Sequence, residues 1–301
     1  MDYSAPYHPF KSPAAKQRYL DFYDKKARHW PVPAETLTIS GTYGETFVRI
    51  SGVPDAPPIL LIPGASVSSL MWAPVIERLS GEFRVYAVDN IYDYGRSVYR
   101  RKMTRAEDLM GWLDEVLDSL GLDGKVSLAG LSYGGWIAAR YALHAPSRIA
   151  KLVLLAPVGM APVRMQFWIR VAFLFLPFPY FKRSFWKWLF ADLARKKEFY
   201  GSRASEEDEI SVAMQSFKMK NSVMPSVLTD EEVAGFQVPV LFMIGENERS
   251  FSPTGSVKRL KEKAPAIVIE ILKDAGHDLV FVQPEIVIEK VLQFLHNRKL
   301  E

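Results

Sequence analysis

The chain has 301 residues, enough for one large hydrophobic core or two small ones. Hydrophobic residues make up 49% and charged residues 24%, and 38 basic against 34 acidic side chains leave a net charge of only +4, so composition excludes a disordered or polyelectrolyte-like chain. The absence of cysteine removes disulfides, thiolate metal sites and a cysteine nucleophile together.

The first residues, Met1-Asp2-Tyr3-Ser4-Ala5-Pro6, lack the basic start and apolar run of a secretory signal, and a cytoplasmic protein is expected. Residues 1–36 read as an N-terminal arm packing on the core. Ser12-Pro13 makes a helix start, and Leu20, Phe22 and Tyr23 can dock it. Strand candidates follow at Leu37–Gly41, Thr46–Ser51, Pro58–Ile62, Arg84–Asp89, Lys125–Ala129, Ala150–Ala156, Val238–Ile244 and Ala266–Lys273. The first two alternate and read as an antiparallel hairpin turning at Gly41 and Gly44. From Pro58 onward the runs are continuously apolar, as in a parallel sheet buried on both faces. Helical stretches lie between them, at Ser69–Leu79, Arg105–Leu120, Tyr133–His144, Thr254–Lys263 and Pro284–Asn297. This alternation predicts an α/β fold with a mostly parallel eight-stranded sheet and helices on both faces, and its ligands belong at the carboxyl ends of the strands.

Two features interrupt the pattern. The basic run Tyr99-Arg100-Arg101-Lys102, with Arg105 beyond, reads as a solvated loop, and no motif accompanies it that would take nucleic acid. Residues 158–235 are rich in Phe, Trp and Met and lack strand patterning. They read as a helical cap or lid inserted into a core of 37–157 and 236–301. The longest uncharged apolar run, Val171 to Phe181, is too short to span a bilayer and contains Pro177 and Pro179, so no integral membrane association is expected.

The segment Gly130-Leu131-Ser132-Tyr133-Gly134 matches G-x-S-x-G. By composition alone that pattern arises in roughly one in ten chains of this length. Its setting carries more weight, because a strand leads in and a helix leads out, as a nucleophile elbow requires. The turn holds Ser132 in a strained backbone conformation, and Gly130 and Gly134 are needed because side chains there would collide. The first amides of the next helix then point at the reacting oxygen, where the helix dipole favours negative charge.

Together with Leu60-Leu61-Ile62-Pro63-Gly64-Ala65, Val88-Asp89, Tyr94-Gly95-Arg96-Ser97 and Asp274-Ala275-Gly276-His277, the elbow resembles the α/β-hydrolase superfamily over roughly Leu37–Asn297. Within it the chain looks most like small bacterial carboxylesterases of the naproxen-esterase type. The resemblance implies a serine hydrolase acting on an ester through an acyl-enzyme, without a cofactor.

A serine hydroxyl needs a neighbouring base. Of five histidines, His8, His29, His144 and His296 lie in the arm, before the first strand or at helix ends. His277 follows the last strand by four residues and obeys the Ser…acid…His chain order. The acid must accept from the other ring nitrogen. The family pattern places it three residues after Gly245, at Glu248, with glutamate in place of the usual aspartate. Glu246 is the competitor, while Asp274 and Asp278 read as turn-formers. The resemblance also assigns the oxyanion hole to the backbone N–H groups of Tyr133 and Ala65, each donor worth roughly 3 kcal/mol. Relatives often carry His before that glycine, where this chain has Pro63, which removes a side chain that braces the loop.

The aromatic stretch Phe167 to Phe190 includes Trp168, Phe173, Phe175, Phe185, Trp186 and Trp188, broken by Arg170, Lys182, Arg183 and Lys187. Three readings stand: packing of a cap helix on the body, a lid with an apolar acyl or alcohol pocket, and an interfacial segment with weak contact to lipid. The triad does not separate ester hydrolysis from C–C, amide or lactone hydrolysis, perhydrolysis or acyl transfer. A non-catalytic binding module on the same scaffold is the rival from another class. No motif of metal-ligand spacing appears.

Overall fold

Alternate residues of the central strands go to opposite sides of one sheet, and this divides the core in two. In β3 (Pro58–Ile62), Leu60 and Ile62 join the layer holding Trp112, Leu113, Trp136 and Ile137, whereas Ile59 and Leu61 join the layer holding Trp72, Ile76, Ile288 and Leu292. Both sets are fully buried, which explains why these runs carry no polar alternation. Each such side chain contributes about 1.5–3 kcal/mol on burial. The computed structural model describes residues 3–174, 176, 179–195, 209–218 and 223–298.

The remaining strands are β1 (Glu35–Gly41), β2 (Gly44–Ser51), β4 (Arg84–Val88), β5 (Val98–Tyr99), β6 (Val126–Leu131), β7 (Ile149–Leu155), β8 (Val240–Gly245) and β9 (Val268–Leu272). They form one sheet in the order β1-β2-β4-β3-β6-β7-β8-β9, with β5 added beside β2. β1 and β2 are an antiparallel hairpin whose register closes at Gly41 opposite Gly44. From β4 through β3 to β9 every pairing is parallel. Helices 73–80, 106–119, 133–144, 253–263 and 284–295 cover the two faces.

Two expectations change. The sheet has nine strands rather than eight, because Val98 and Tyr99 pair with Glu45 and Gly44. Tyr99, read as the start of a solvated basic loop, is fully buried against Tyr92 and His8, while Arg100 next to it is exposed and pairs with Glu45. The stretch Ser69–Leu79 is not one helix. A 3₁₀ turn at Ser69–Trp72 runs into an α-helix at Ala73–Ser80, where Pro74 lies in the first turn and needs no N–H partner.

The N-terminal helix Pro13–Ala27 is capped by the Ser12 side chain, which accepts from the Ala15 N–H at 3.1 Å. Its buried residues are Tyr19 and Tyr23, with Leu20 and Phe22 half-buried. It packs on helix Glu209–Ser216, from the segment between β7 and β8. Phe10, Tyr19, Val212, Ala213 and Phe217 form one cluster there, and Lys26 pairs with Glu209.

Between β7 and β8 the described residues hold helices Met165–Phe173, Pro179–Leu189, Ala191–Arg195, Glu209–Ser216 and Asp230–Ala234, and no named strand. Phe175, Pro177, Phe178 and residues 196–208 and 219–222 of the expected insertion lie outside the described residues. The return limb is tied to the body by polar contacts. The Tyr133 hydroxyl donates to the Val223 carbonyl at 2.7 Å, Trp136 Nε1 donates to the Ser226 carbonyl at 3.0 Å, and Arg259 Nε pairs with Asp230 at 2.8 Å.

Candidate active site

β6 ends at Leu131 and helix Tyr133–His144 begins two residues later, so Ser132 occupies the whole turn. Its backbone has φ 53° and ψ −112°, a left-handed conformation that a residue with a Cβ adopts only under strain. Neighbouring contacts hold it there. The Ser132 N–H donates to the Leu155 carbonyl at 2.9 Å, and the Ser132 carbonyl accepts from Trp136 N–H at 3.1 Å.

The flanking glycines are steric necessities. A Cβ on Gly130 would sit 2.3 Å from the Gly134 carbonyl oxygen, and one on Gly134 would sit 2.2 Å from the Ile62 oxygen and 2.4 Å from the Pro63 oxygen. All of these are backbone atoms, which cannot swing aside. Gly134→Ala is therefore expected to cost about 3 kcal/mol or more of stability. The midpoint of urea denaturation reports this, and an unchanged midpoint would contradict the packing.

The other two predicted side chains meet Ser132 from separate loops. His277, after β9, lies with Nε2 2.9 Å from Ser132 Oγ, and its Nδ1 lies 2.7 Å from Glu248 Oε2. Glu248, after β8, is held in turn by the Ser250 N–H, which donates to Oε1 at 2.7 Å. Both are buried, at 6% and 2% exposure. Glu246 lies elsewhere: its Oε1 accepts from the Asp274 N–H at 2.8 Å, bracing the β9 loop. Asp274 itself is a turn residue at φ 54°.

Electrostatics bind the pair. Burial alone would raise the Glu248 carboxyl, but the positive charge and hydrogen bond of His277, with the Ser250 donors, hold it below its ordinary value. Burial alone would lower His277, and the Glu248 charge and hydrogen bond outweigh it, so its pKa is raised.

The loop after β3 lies against Ser132, since a Cβ on Gly64 would come within 3.8 Å of Ser132 Cβ. Ala65 and Tyr133, the two predicted donors, flank this junction. The brace lost with the Pro63 departure is supplied from other directions. Asp93 Oδ2 accepts from Ser66 N–H at 3.0 Å, and Met71 Sδ accepts from Gly64 N–H at 3.3 Å. Ser66 sits at φ 65°, a conformation this aspartate stabilises.

Sequence reasoning missed a polar contact behind the histidine. Asp278, read as a turn-former, is fully buried and accepts from the Leu193 N–H at 2.8 Å and the Gly276 N–H at 3.3 Å. Burial pushes its carboxyl up, and Asp192 nearby adds to this. Asp192 accepts from Asn247 Nδ2 at 3.2 Å, so helix 191–195 is fastened to the loops of both His277 and Glu248. Phe190 lies parallel to the His277 ring at 6.5 Å between centroids, with Trp186 stacked behind it at 5.6 Å. The only sequence signal for this wall is the aromatic density of 167–190. Among the described residues, no group of His, Asp and Glu could hold a metal ion.

Comparison with known proteins agrees with this geometry. The Alpha/beta hydrolase family model matches residues 59–290. Carboxylesterase YbfK from Bacillus subtilis is 34% identical over 282 residues, covering 92% of this chain and 93% of that protein. The crystal structure of naproxen esterase (carboxylesterase NP) from Bacillus subtilis superposes with a TM-score of 0.85 at 30% identity, covering 95% of this chain and 99% of that one. That of carboxylesterase CesB (YbfK), also from Bacillus subtilis, gives 0.82 at 32% identity over 95% of this chain and 100% of that one. Fold, elbow and full-length relatives agree, and the chain belongs to the alpha/beta hydrolase family.

Proposed function

We propose that this protein is a serine carboxylic-ester hydrolase acting on small to medium apolar esters. The observation that carries the reading is the unbroken relay from Ser132 Oγ through both ring nitrogens of His277 to Glu248, at 2.9 and 2.7 Å. The carboxylesterases to which the chain is similar over nine-tenths of its length support the choice of ester among the reactions open to this scaffold.

Glu248 accepts from Nδ1–H and leaves Nε2 as the acceptor. His277 takes the hydroxyl proton as Ser132 Oγ attacks the ester carbonyl carbon. The negative charge that develops on the carbonyl oxygen is held by the N–H groups of Ala65 and Tyr133, the second at the positive end of helix 133–144. His277 then gives its proton to the departing alkoxide, and the alcohol leaves an acyl-enzyme. Water, deprotonated by His277, attacks that acyl carbon, and collapse returns the proton to Ser132 and frees the acid. No cofactor or metal is required at any step. Residues 158–235 act as the cap, and the Phe190–Trp186 wall favours an apolar acyl or alcohol group beside His277.

A fluorophosphonate probe tests the reading, since it needs an activated serine and no particular acyl chain. One label per chain is expected, on the peptide containing Ser132. A label on another residue, or none on folded protein, overturns the assignment. Rates on p-nitrophenyl esters of increasing chain length, set beside the matching anilides, report the substrate class.

A further inference from the structure

Helix Met165–Phe173 is apolar over most of its circumference although it lies at the surface; Gln166 is its one exposed polar side chain and Arg170 is half-buried. Phe167, Val171 and Leu174 face inward and pack on Phe185, Trp188 and Leu189. Met165, Trp168, Ile169 and Phe173 recur at spacings of three and four residues and so form one outward stripe. They are 72%, 41%, 51% and 43% exposed, and Tyr180 beyond them is 73% exposed. A contiguous exposed apolar stripe of this size marks a contact surface.

Charge says what the contact is. Residues 158–195 carry six basic side chains, Arg164, Arg170, Lys182, Arg183, Lys187 and Arg195, and one acid, Asp192. This segment therefore holds a net +5 in a chain whose total is +4, leaving the rest of the molecule at −1. The one acid is buried against Asn247 and Arg195. A second copy of the chain in a twofold contact would place this positive patch against itself. An anionic bilayer instead matches both components, taking the apolar side chains at the acyl boundary and the cations among its phosphates. Trp168 and Tyr180 have the ring chemistry that settles at that boundary. Arg170 supports the same occupant. It borders a cleft of about 320 Å³ shared with Lys187, Arg195 and Arg249, where its guanidinium lies 4.9 Å over the Trp188 ring and adds to the positive charge of this face. No helix among the described residues is long and apolar enough to cross a membrane.

We propose that the outer face of helix 165–173, with its flanking cations, docks the protein reversibly on an anionic lipid surface. This does not depend on the ester reading, because the docking face and the Ser132 site share no side chain. Flotation of the full chain with phosphatidylcholine vesicles, with and without phosphatidylglycerol, is the test. The wild type is expected to float with the mixed vesicles, to remain behind with phosphatidylcholine alone, and to detach as salt is added. Each basic side chain beside an anionic leaflet changes partition roughly fivefold, so Arg183→Gln with Lys187→Gln should weaken binding roughly 25-fold. Ile169→Glu with Phe173→Glu should abolish it. Both double variants should keep wild-type kcat/KM on a water-soluble short-chain ester, and Ser132→Ala should still float. A wild type that ignores the mixed vesicles overturns the proposal. So does a dimer, seen by light scattering, that the two glutamates dissociate.

Discussion

Ser132→Ala should lower kcat/KM for ester hydrolysis on the order of 10⁴–10⁶-fold while leaving the fold intact. In the proposed mechanism the deleted atom is the one that bonds to the acyl carbon, and His277 then has no hydroxyl to deprotonate. The residual rate belongs to the oxyanion donors and substrate binding. Alanine keeps the Cβ, so the strain at φ 53° persists and the melting temperature should change little. Glycine at the same position separates the two roles. Ser132→Gly should be equally inactive, yet it relieves an unfavourable backbone region worth about 1–3 kcal/mol, partly offset by glycine's freedom in the unfolded chain. Activity and thermal unfolding of the two variants together decide this. A folded alanine variant with undiminished turnover would remove Ser132 from the mechanism.

Glu248→Gln carries the second large effect, on the order of 10⁴-fold in kcat, because an amide can donate to Nδ1 and hold the histidine in the wrong tautomer. The pH profile gives an independent sign. His277 acts as a base only when neutral, and its pKa is raised above 6.5 by Glu248 against the opposing pull of burial. Wild-type kcat/KM should therefore fall on the acid side with a midpoint above 6.5. Without the carboxylate charge, burial is opposed only by the smaller effect of Asp278, and the midpoint of the residual activity should move down. Stability follows the opposite course. The raised histidine stabilises the folded state fully below its unfolded value of 6.5, and that contribution is lost as pH rises through the folded value. The lowered glutamate stabilises above its unfolded value of 4.5, and that contribution is lost as pH falls through the folded value. The pair thus contributes most between these pH values, where the base is largely protonated and hydrolysis is slow. Thermal unfolding across pH should show this bulge in the wild type and not in Glu248→Gln.

The strands were legible because the sheet is buried on both faces. Pro58–Ile62 needs no long-range information to be a continuous apolar run. The meeting of Ser132 and His277 was legible for a related reason: a strand-to-helix turn and a loop after the last strand are local features in fixed chain order. Choosing Glu248 over Glu246 took the family resemblance, since both follow β8 within three residues of Gly245. The two glutamates meet quite different partners, Glu248 the His277 ring and Glu246 the Asp274 amide. What escaped was non-local. β5 has two residues, too few for any period, and Tyr99 is buried only because the β2 edge and the arm meet around it. Asp278 resembles any other turn aspartate until helix 191–195 arrives with an amide to be accepted. The Asp93 brace on the Ala65 loop depends on the same kind of meeting between distant segments.

The meeting of the N-terminal arm with helix 209–216 sets a timetable for the newborn chain. Lys11 Nζ donates to the Met214 carbonyl, 203 residues later, and Phe10 pairs with Phe217. At synthesis rates of about 5–20 residues per second, the arm waits roughly 10–40 s after its own synthesis before its partner exists. Throughout that interval Phe10 and Tyr19, which are buried in the finished molecule, have no lasting place to go. Cellular holding factors that recognise exposed aromatic segments would meet this arm early, and their release would coincide with the arrival of helix 209–216.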